Sequence, residues 1–228
     1  MSASFVFPLA FLFGGGAGYL LNRLALFYLW RYTGEKNSYG GVVGRLLFRN
    51  KNHSFFAVDM VILEAAAMLL SPVAFFRWSG IELLFCLAII YLILLLSLID
   101  GRIRILPNQL NIAGVILGMG YAFFREDFTP VDALAGIAVG GGFALLSALV
   151  YHALRSREGL GLGDVKMLAF LGSFAGWEGV LLIVAGGSLI GAMWGVYTGS
   201  KKGDPLHHEI PFGPFLGLSA LGYLFIFI

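Results

Sequence analysis

Apolar runs long enough to cross a bilayer recur along this chain, and they dictate most of what it can become. A helix needs about 20 consecutive apolar residues to cross the hydrocarbon layer. No water is available there, so every backbone polar group must be satisfied within the protein, which helices do segment by segment. Runs of this kind lie near Phe5–Trp30, Phe56–Phe76, Ile81–Ile99, Leu110–Phe124, Val131–Leu154, Val165–Gly176, Trp177–Gly199 and Ile210–Ile228. The fourth and sixth are short. The pattern predicts an all-α, polytopic helical membrane protein with about eight transmembrane helices. Of the 228 residues 59% are hydrophobic and 12% charged, against about a quarter charged in soluble domains. Residues 1–228 therefore read as a single membrane domain, with no room for a large soluble one.

The same composition excludes several classes. The net charge of +2 comes without a long basic tract, so nothing points to nucleic acid. Cys86 is the sole cysteine and lies in an apolar run. It cannot form an internal disulfide, and no Cys-x-x-Cys pair exists to hold zinc. His207 and His208 beside Glu209 make a poor ligand set, His53 precedes the second run, and no metal is expected. The first run begins near Ser4 with no basic segment before it, so it reads as a retained span rather than a cleaved signal.

Basic residues set the orientation, because cytoplasmic loops collect Lys and Arg. With the N-terminus outside, inward loops carry Arg31, Lys36, Arg45, Arg49 and Lys51, then Arg102 and Arg104, Arg155 and Arg157, Lys201 and Lys202. Outward loops keep only Arg77 and Arg125, the latter offset by Glu126 and Asp127. Asp100, Asp164 and the 201–209 loop then share the cytoplasmic face. Gly14-Gly15-Gly16-x-Gly18, Gly136-x-x-x-Gly140 and Gly186-x-x-x-x-Gly191 read as packing seams between helices. The first also has the look of a nucleotide fingerprint, but no strand precedes it.

Charge at the end of an apolar run demands a reason, since burying it in lipid costs a few kcal/mol or more. Asp100 closes the run Ile89–Ile99 and precedes Gly-Arg-Ile-Arg-Ile-Leu-Pro. It could pair with Arg102 or Arg104, yet a carboxylate is disfavoured at a helix C-terminus, and Leu106-Pro107-Asn108 enforces a shaped turn. Asp164 lies in Gly161-Leu-Gly163-Asp164-Val-Lys166. An N-cap role explains the aspartate but not the two glycines, which permit unusual backbone angles and close approach of another chain. Lys166 could pair with Asp164 or with a substrate carboxylate, or reach to the membrane surface. If the two aspartates meet, they form a proton-sharing dyad of the kind that hydrolyses peptides: one carboxylate activates water, the other polarises the carbonyl. Glu64, inside the second run, calls for a partner, with Asn22 and Arg23 as candidates; Asp59 lies nearer the interface.

These residues have a familiar arrangement. Glu158-Gly-Leu-Gly-Leu-Gly-Asp164-Val-Lys166, with Leu171-Gly-Ser-Phe-Ala-Gly-Trp177 behind it, resembles the second motif of type IV prepilin peptidases, membrane aspartic proteases of the GxGD class. Asp100 ahead of Ile105-Leu-Pro-Asn-Gln-Leu resembles their first motif. Glu209-Ile-Pro-Phe-Gly-Pro-Phe-Leu resembles their final loop. Gly14–Gly18 with Asn22 and Arg23, and Phe56–Glu64, resemble their first two spans. The resemblance covers most of the chain and places the GxGD protease region at 81–228.

The resemblance implies a catalytic pair at Asp100 and Asp164, with Glu158, Gly161, Gly163, Lys166 and Glu209 as substrate-binding or motif residues. It implies removal of short basic leaders from type IV prepilins or from pseudopilins of type II secretion, at the cytoplasmic face of the inner membrane, with no cofactor for proteolysis. Many members then methylate the new N-terminus with S-adenosylmethionine, and Asn22, Arg23 and Glu64 match the pattern associated with that step. One departure stands out: the first cytoplasmic loop, 31–54, is short and lacks the family's two Cys-x-x-Cys pairs, which leaves methylation open. Other readings are a GxGD protease for preflagellin-like or other small membrane substrates, and a small transporter built around Glu64. The sequence gives no oligomeric state.

Overall fold

A computed structural model describes residues 3–33, 54–155, 161–202 and 211–228. Every regular element among them is a helix: α1 (Ala3–Thr33), α2 (Ser54–Arg77), α3 (Gly80–Ile103), α4 (Asn108–Tyr121), α5 (Pro130–Arg155), α6 (Leu162–Lys202) and α7 (Gly213–Phe227). Two compact units divide the chain, Met1–Leu87 and Ala88–Ile228.

All eight apolar segments are helical, but among the described residues five helices are long and apolar enough to cross a membrane: α1, α2, α3, α5 and α6. The all-α membrane fold is as expected, and the count of about eight spans is not confirmed by length and composition alone. At 1.5 Å per residue α4, with 14 residues, reaches about 21 Å, so a crossing of the ~30 Å hydrocarbon layer there also uses the turns that flank it. Helix α7 is a shorter apolar helix as well. The segments expected as sixth and seventh follow one another within α6, whose 39-residue apolar stretch would extend about 58 Å if straight. It is not straight. Gly176, at φ 74° and ψ −177°, breaks the helical path where the sequence placed the end of one span and the start of the next.

A break inside an apolar helix frees carbonyls that must find donors. Arg125 Nη1 donates to the Phe174 carbonyl at 3.4 Å, and Tyr223 Oη donates to the Ala175 carbonyl at 3.2 Å. The Arg125 guanidinium also lies over the Phe128 ring at 5.0 Å. Helix α5 starts with Pro130 behind a reciprocal cap: Thr129 N–H and Oγ1 donate to Asp132 Oδ2, and Asp132 N–H donates to Thr129 Oγ1, as at many helix starts.

Small residues set the spacing within each unit. In the first, α1 meets α2 where Gly14 faces the Ala67 carbonyl and Ser71, and Gly18 faces Glu64. In the second, Gly136 and Gly172 face one another across the α5–α6 seam, and Gly140 faces Leu168. The buried face of α3 carries Ile89, Ile90, Ile93, Leu96 and Ile99, while Met167, Leu168, Phe170, Leu171 and Phe174 bury that of α6. Elsewhere large apolar side chains face outward, among them Leu12, Leu69, Leu146, Leu189 and Ile226. Exposure on this scale suits lipid rather than water.

Candidate active site

Asp100 lies in the last turn of α3, where the helix's own dipole disfavours it. Helix α7 answers that problem. Its first residue, Gly213, has an N–H with no intrahelical acceptor, as at every helix start. That N–H donates to Asp100 Oδ2 at 2.8 Å, so the carboxylate caps α7 from another helix, 113 residues away in sequence. A carboxylate at a helix N-terminus is stabilised by roughly 0.3–2 kcal/mol. The contact requires glycine: a Cβ on Gly213 would lie 2.6 Å from Asp100 Oδ2. Gly217, one turn on, admits Ser97 and Ile93 of α3. Asp100 is 6% exposed. Helix α3 ends by passing through Arg104 in the left-handed region, φ 53°, with the Arg104 N–H on the Asp100 carbonyl at 2.9 Å.

The chain then turns through Leu106 and Pro107 into α4, and this turn receives the glycine-rich segment. A Cβ on Gly163 would stand 3.1 Å from Leu106 Cβ, so glycine lets the start of α6 close on the end of α3. Asp164 sits half-buried in the first turn of α6. The bend folds back on itself: Asp164 N–H donates to the Gly161 carbonyl at 3.0 Å, and Val165 N–H approaches the same carbonyl at 3.5 Å. The charge of Asp100 acts directly on Asp164. The structure thus brings together the two carboxylates that the sequence singled out, each beside a helix N-terminus.

Lys166 differs from its expected partners. Its Nζ donates to Asn108 Oδ1 at 2.6 Å, tying the first turn of α6 to the first residue of α4. Asn108, Leu106 and Gly213 were not among the candidate site residues. Each lies in a motif read from the sequence, but its role depends on which distant segment arrives beside it. Glu158, Glu209, His53, His207, His208 and residues 34–53 of the first loop lie outside the described residues.

In the first unit, Asn22 Nδ2 donates to the Met60 carbonyl at 3.2 Å and approaches Glu64 Oε2 at 3.5 Å. Asn22 Oδ1 is buried and finds no donor among the described residues. Arg23 turns to Tyr19, with Nη2 donating to the phenol oxygen at 2.7 Å. Asn22 and Glu64 therefore meet as expected, while Arg23 stands with Tyr19. Among the described residues no group of three or more potential metal ligands converges.

Relatives carry the same region. A protein of Pseudomonas putida named prepilin leader peptidase/N-methyltransferase is 32% identical over 164 residues, 72% of this chain and 57% of that protein. Proteins of the same name from Xanthomonas campestris pv. campestris and Pseudomonas aeruginosa are 33% identical over 144 residues and 35% over 128. These alignments cover 63% and 56% of this chain, and 49% and 44% of the relatives. The chain spans about half the length of the curated relatives it matches. No solved structure matches it. The profile of the type IV leader peptidase family matches residues 86–196, a stretch that holds Asp100, Gly161, Gly163, Asp164 and Lys166. Through that region the chain belongs to the type IV leader peptidase family.

Proposed function

We propose that this multi-pass membrane protein is an aspartic endopeptidase that removes the short basic leader from type IV prepilins or pseudopilins. The observation that carries this reading is the juxtaposition of Asp100 and Asp164 at facing helix ends inside the family-matched region. One ionised carboxylate activates water for attack on the scissile carbonyl. The other, protonated, donates its proton to the carbonyl oxygen and regains it as the tetrahedral adduct collapses, while the first passes the proton taken from water to the leaving amine. Two carboxylates in one low-dielectric site resist ionising together, which keeps one proton between them. The two glycines of the Gly161–Gly163 bend carry no side chain and so allow close approach of an extended peptide. Glu158 and Glu209 supply negative charge for a basic leader. The inward basic loops favour an inner-membrane protein with its N-terminus outside and this site at the cytoplasmic face. In this reading residues 1–228 work as one membrane domain, with 31–54 replacing the family's longer loop and the protease chemistry within 81–228.

Asp100→Asn and Asp164→Asn should each abolish leader removal, measured by the mass of a prepilin incubated with purified enzyme, while leaving the protein in the membrane. Substantial cleavage by either variant would refute the pairing.

The relatives' printed names add N-methylation, and one observation supports it here. Asn22 Oδ1 lies buried without a donor beside Glu64, an acceptor pair suited to the ammonium of an amino-acid-like methyl donor. S-adenosylmethionine would supply an electrophilic methyl group, and Asn22 with Glu64 would hold its ammonium end. With S-adenosylmethionine added, the same mass measurement should show cleavage and methylation separately. Asn22→Ala should lower the second without the first.

A further inference from the structure

We propose that Gly213 is a positioning residue for the Asp100 carboxylate: its N–H fixes Oδ2, and its missing side chain lets the start of α7 close on the acid. This deepens the peptidase reading and rests on it. Three observations converge. The Gly213 N–H would otherwise be an orphan donor of the helix start, and it reaches Asp100 Oδ2 at 2.8 Å in a buried setting. Any Cβ at 213 would lie 2.6–2.9 Å from Asp100 Oδ2, Cγ and Cβ, so room for it comes only from moving the acid's own side chain or the start of α7. Pro214, at the first turn of α7, lies so that its Cγ would be 3.4 Å from a Cβ on Gly101, which places the start of α7 against the residue that follows the acid. Asp100 sits in the last turn of α3, against that helix's own dipole, so α7 is what holds its orientation.

The test uses the full-length enzyme in lipid, with a prepilin-type substrate for kinetics and infrared difference spectra for the acid itself. The Asp100 band is assigned as the one lost in Asp100→Asn. Gly213→Ala should shift that band and lower kcat at least tenfold, with KM within twofold. Gly217→Ala, whose Cβ would meet Ser97 on the same α3–α7 seam, controls for simple loosening of the helices. At matched thermal stability it should keep kcat within threefold and leave the band in place. Should Gly213→Ala fail to reach the membrane, Pro214→Ala replaces it, with a smaller fall in kcat and the same constancy of KM. Unchanged kcat in Gly213→Ala, or an equal loss in Gly217→Ala, overturns the positioning role. A wild-type enzyme that cleaves no prepilin-type leader fails the peptidase reading instead. In that event an unshifted Asp100 band in Gly213→Ala overturns the anchoring as well, and a shifted one upholds it.

Discussion

At the scale of single residues, Asp100 and Asp164 were legible because each violates the rule of its surroundings. A carboxylate at the end of an apolar run is costly, so it announces a reason. Gly213 announces nothing of the kind. Its importance comes from a partner 113 residues away, and glycine at a helix start is common enough to pass unremarked. Lys166 shows the same limit: its charge was visible, but the acceptor is Asn108, which only the fold supplies. This hydrogen bond links the start of α6, which carries Asp164, to the start of α4 and lies at the surface, so its effect should be moderate. Lys166→Met and Asn108→Ala should each lower cleavage several-fold without abolishing it. The double variant should be no worse than the stronger single one, because both remove one interaction. Additive losses in a double-mutant cycle of kcat/KM would show that the bond does not couple the turns.

At the scale of elements, the apolar segments located the helices, and the boundary read between the sixth and seventh falls at the break the structure has, Gly176. Hydropathy alone sets such a boundary weakly, since Phe174, Ala175 and Trp177 are apolar and only Glu178 interrupts the run. The glycine itself was the signal, and its backbone conformation is one that other residues seldom adopt. Gly176→Ala should therefore destabilise the protein by about 1–3 kcal/mol, with the Phe128 ring, 3.0 Å from the added Cβ, adding to the strain. The carbonyls ahead of the break give a milder test. Tyr223→Phe removes the donor to the Ala175 carbonyl and should cost about 0.5–1.5 kcal/mol, read as a lower unfolding midpoint in detergent, with cleavage nearly unchanged. The break lies at the opposite end of the first stretch of α6 from Asp164, so a large loss of activity in Tyr223→Phe at constant stability would contradict this division of labour. The glycine seams needed no correction: Gly14, Gly18, Gly136 and Gly140 face backbone or short side chains of a neighbouring helix.

For the whole molecule, the distribution of basic residues makes a claim that helix geometry does not. Helices of this length fit a bilayer in either direction, whereas Lys and Arg favour one. The charge map assigns Glu126 to the outside and Arg157 to the cytoplasm, so the two apolar segments between Asp100 and Asp164 return both to one face. The chain suits a direct check, because its one cysteine, Cys86, is fully buried and should contribute little background. Glu126→Cys, at an exposed position, should react with a membrane-impermeant maleimide in intact cells. Arg157→Cys should react only after the inner membrane is opened. The reverse pattern would place both aspartates outside, where a leader that is still cytoplasmic could not reach them. The peptidase reading would then fail for this chain, whatever the geometry of its carboxylates, because burial and hydrogen bonding fix the chemistry of a site while the charge map fixes which compartment it serves.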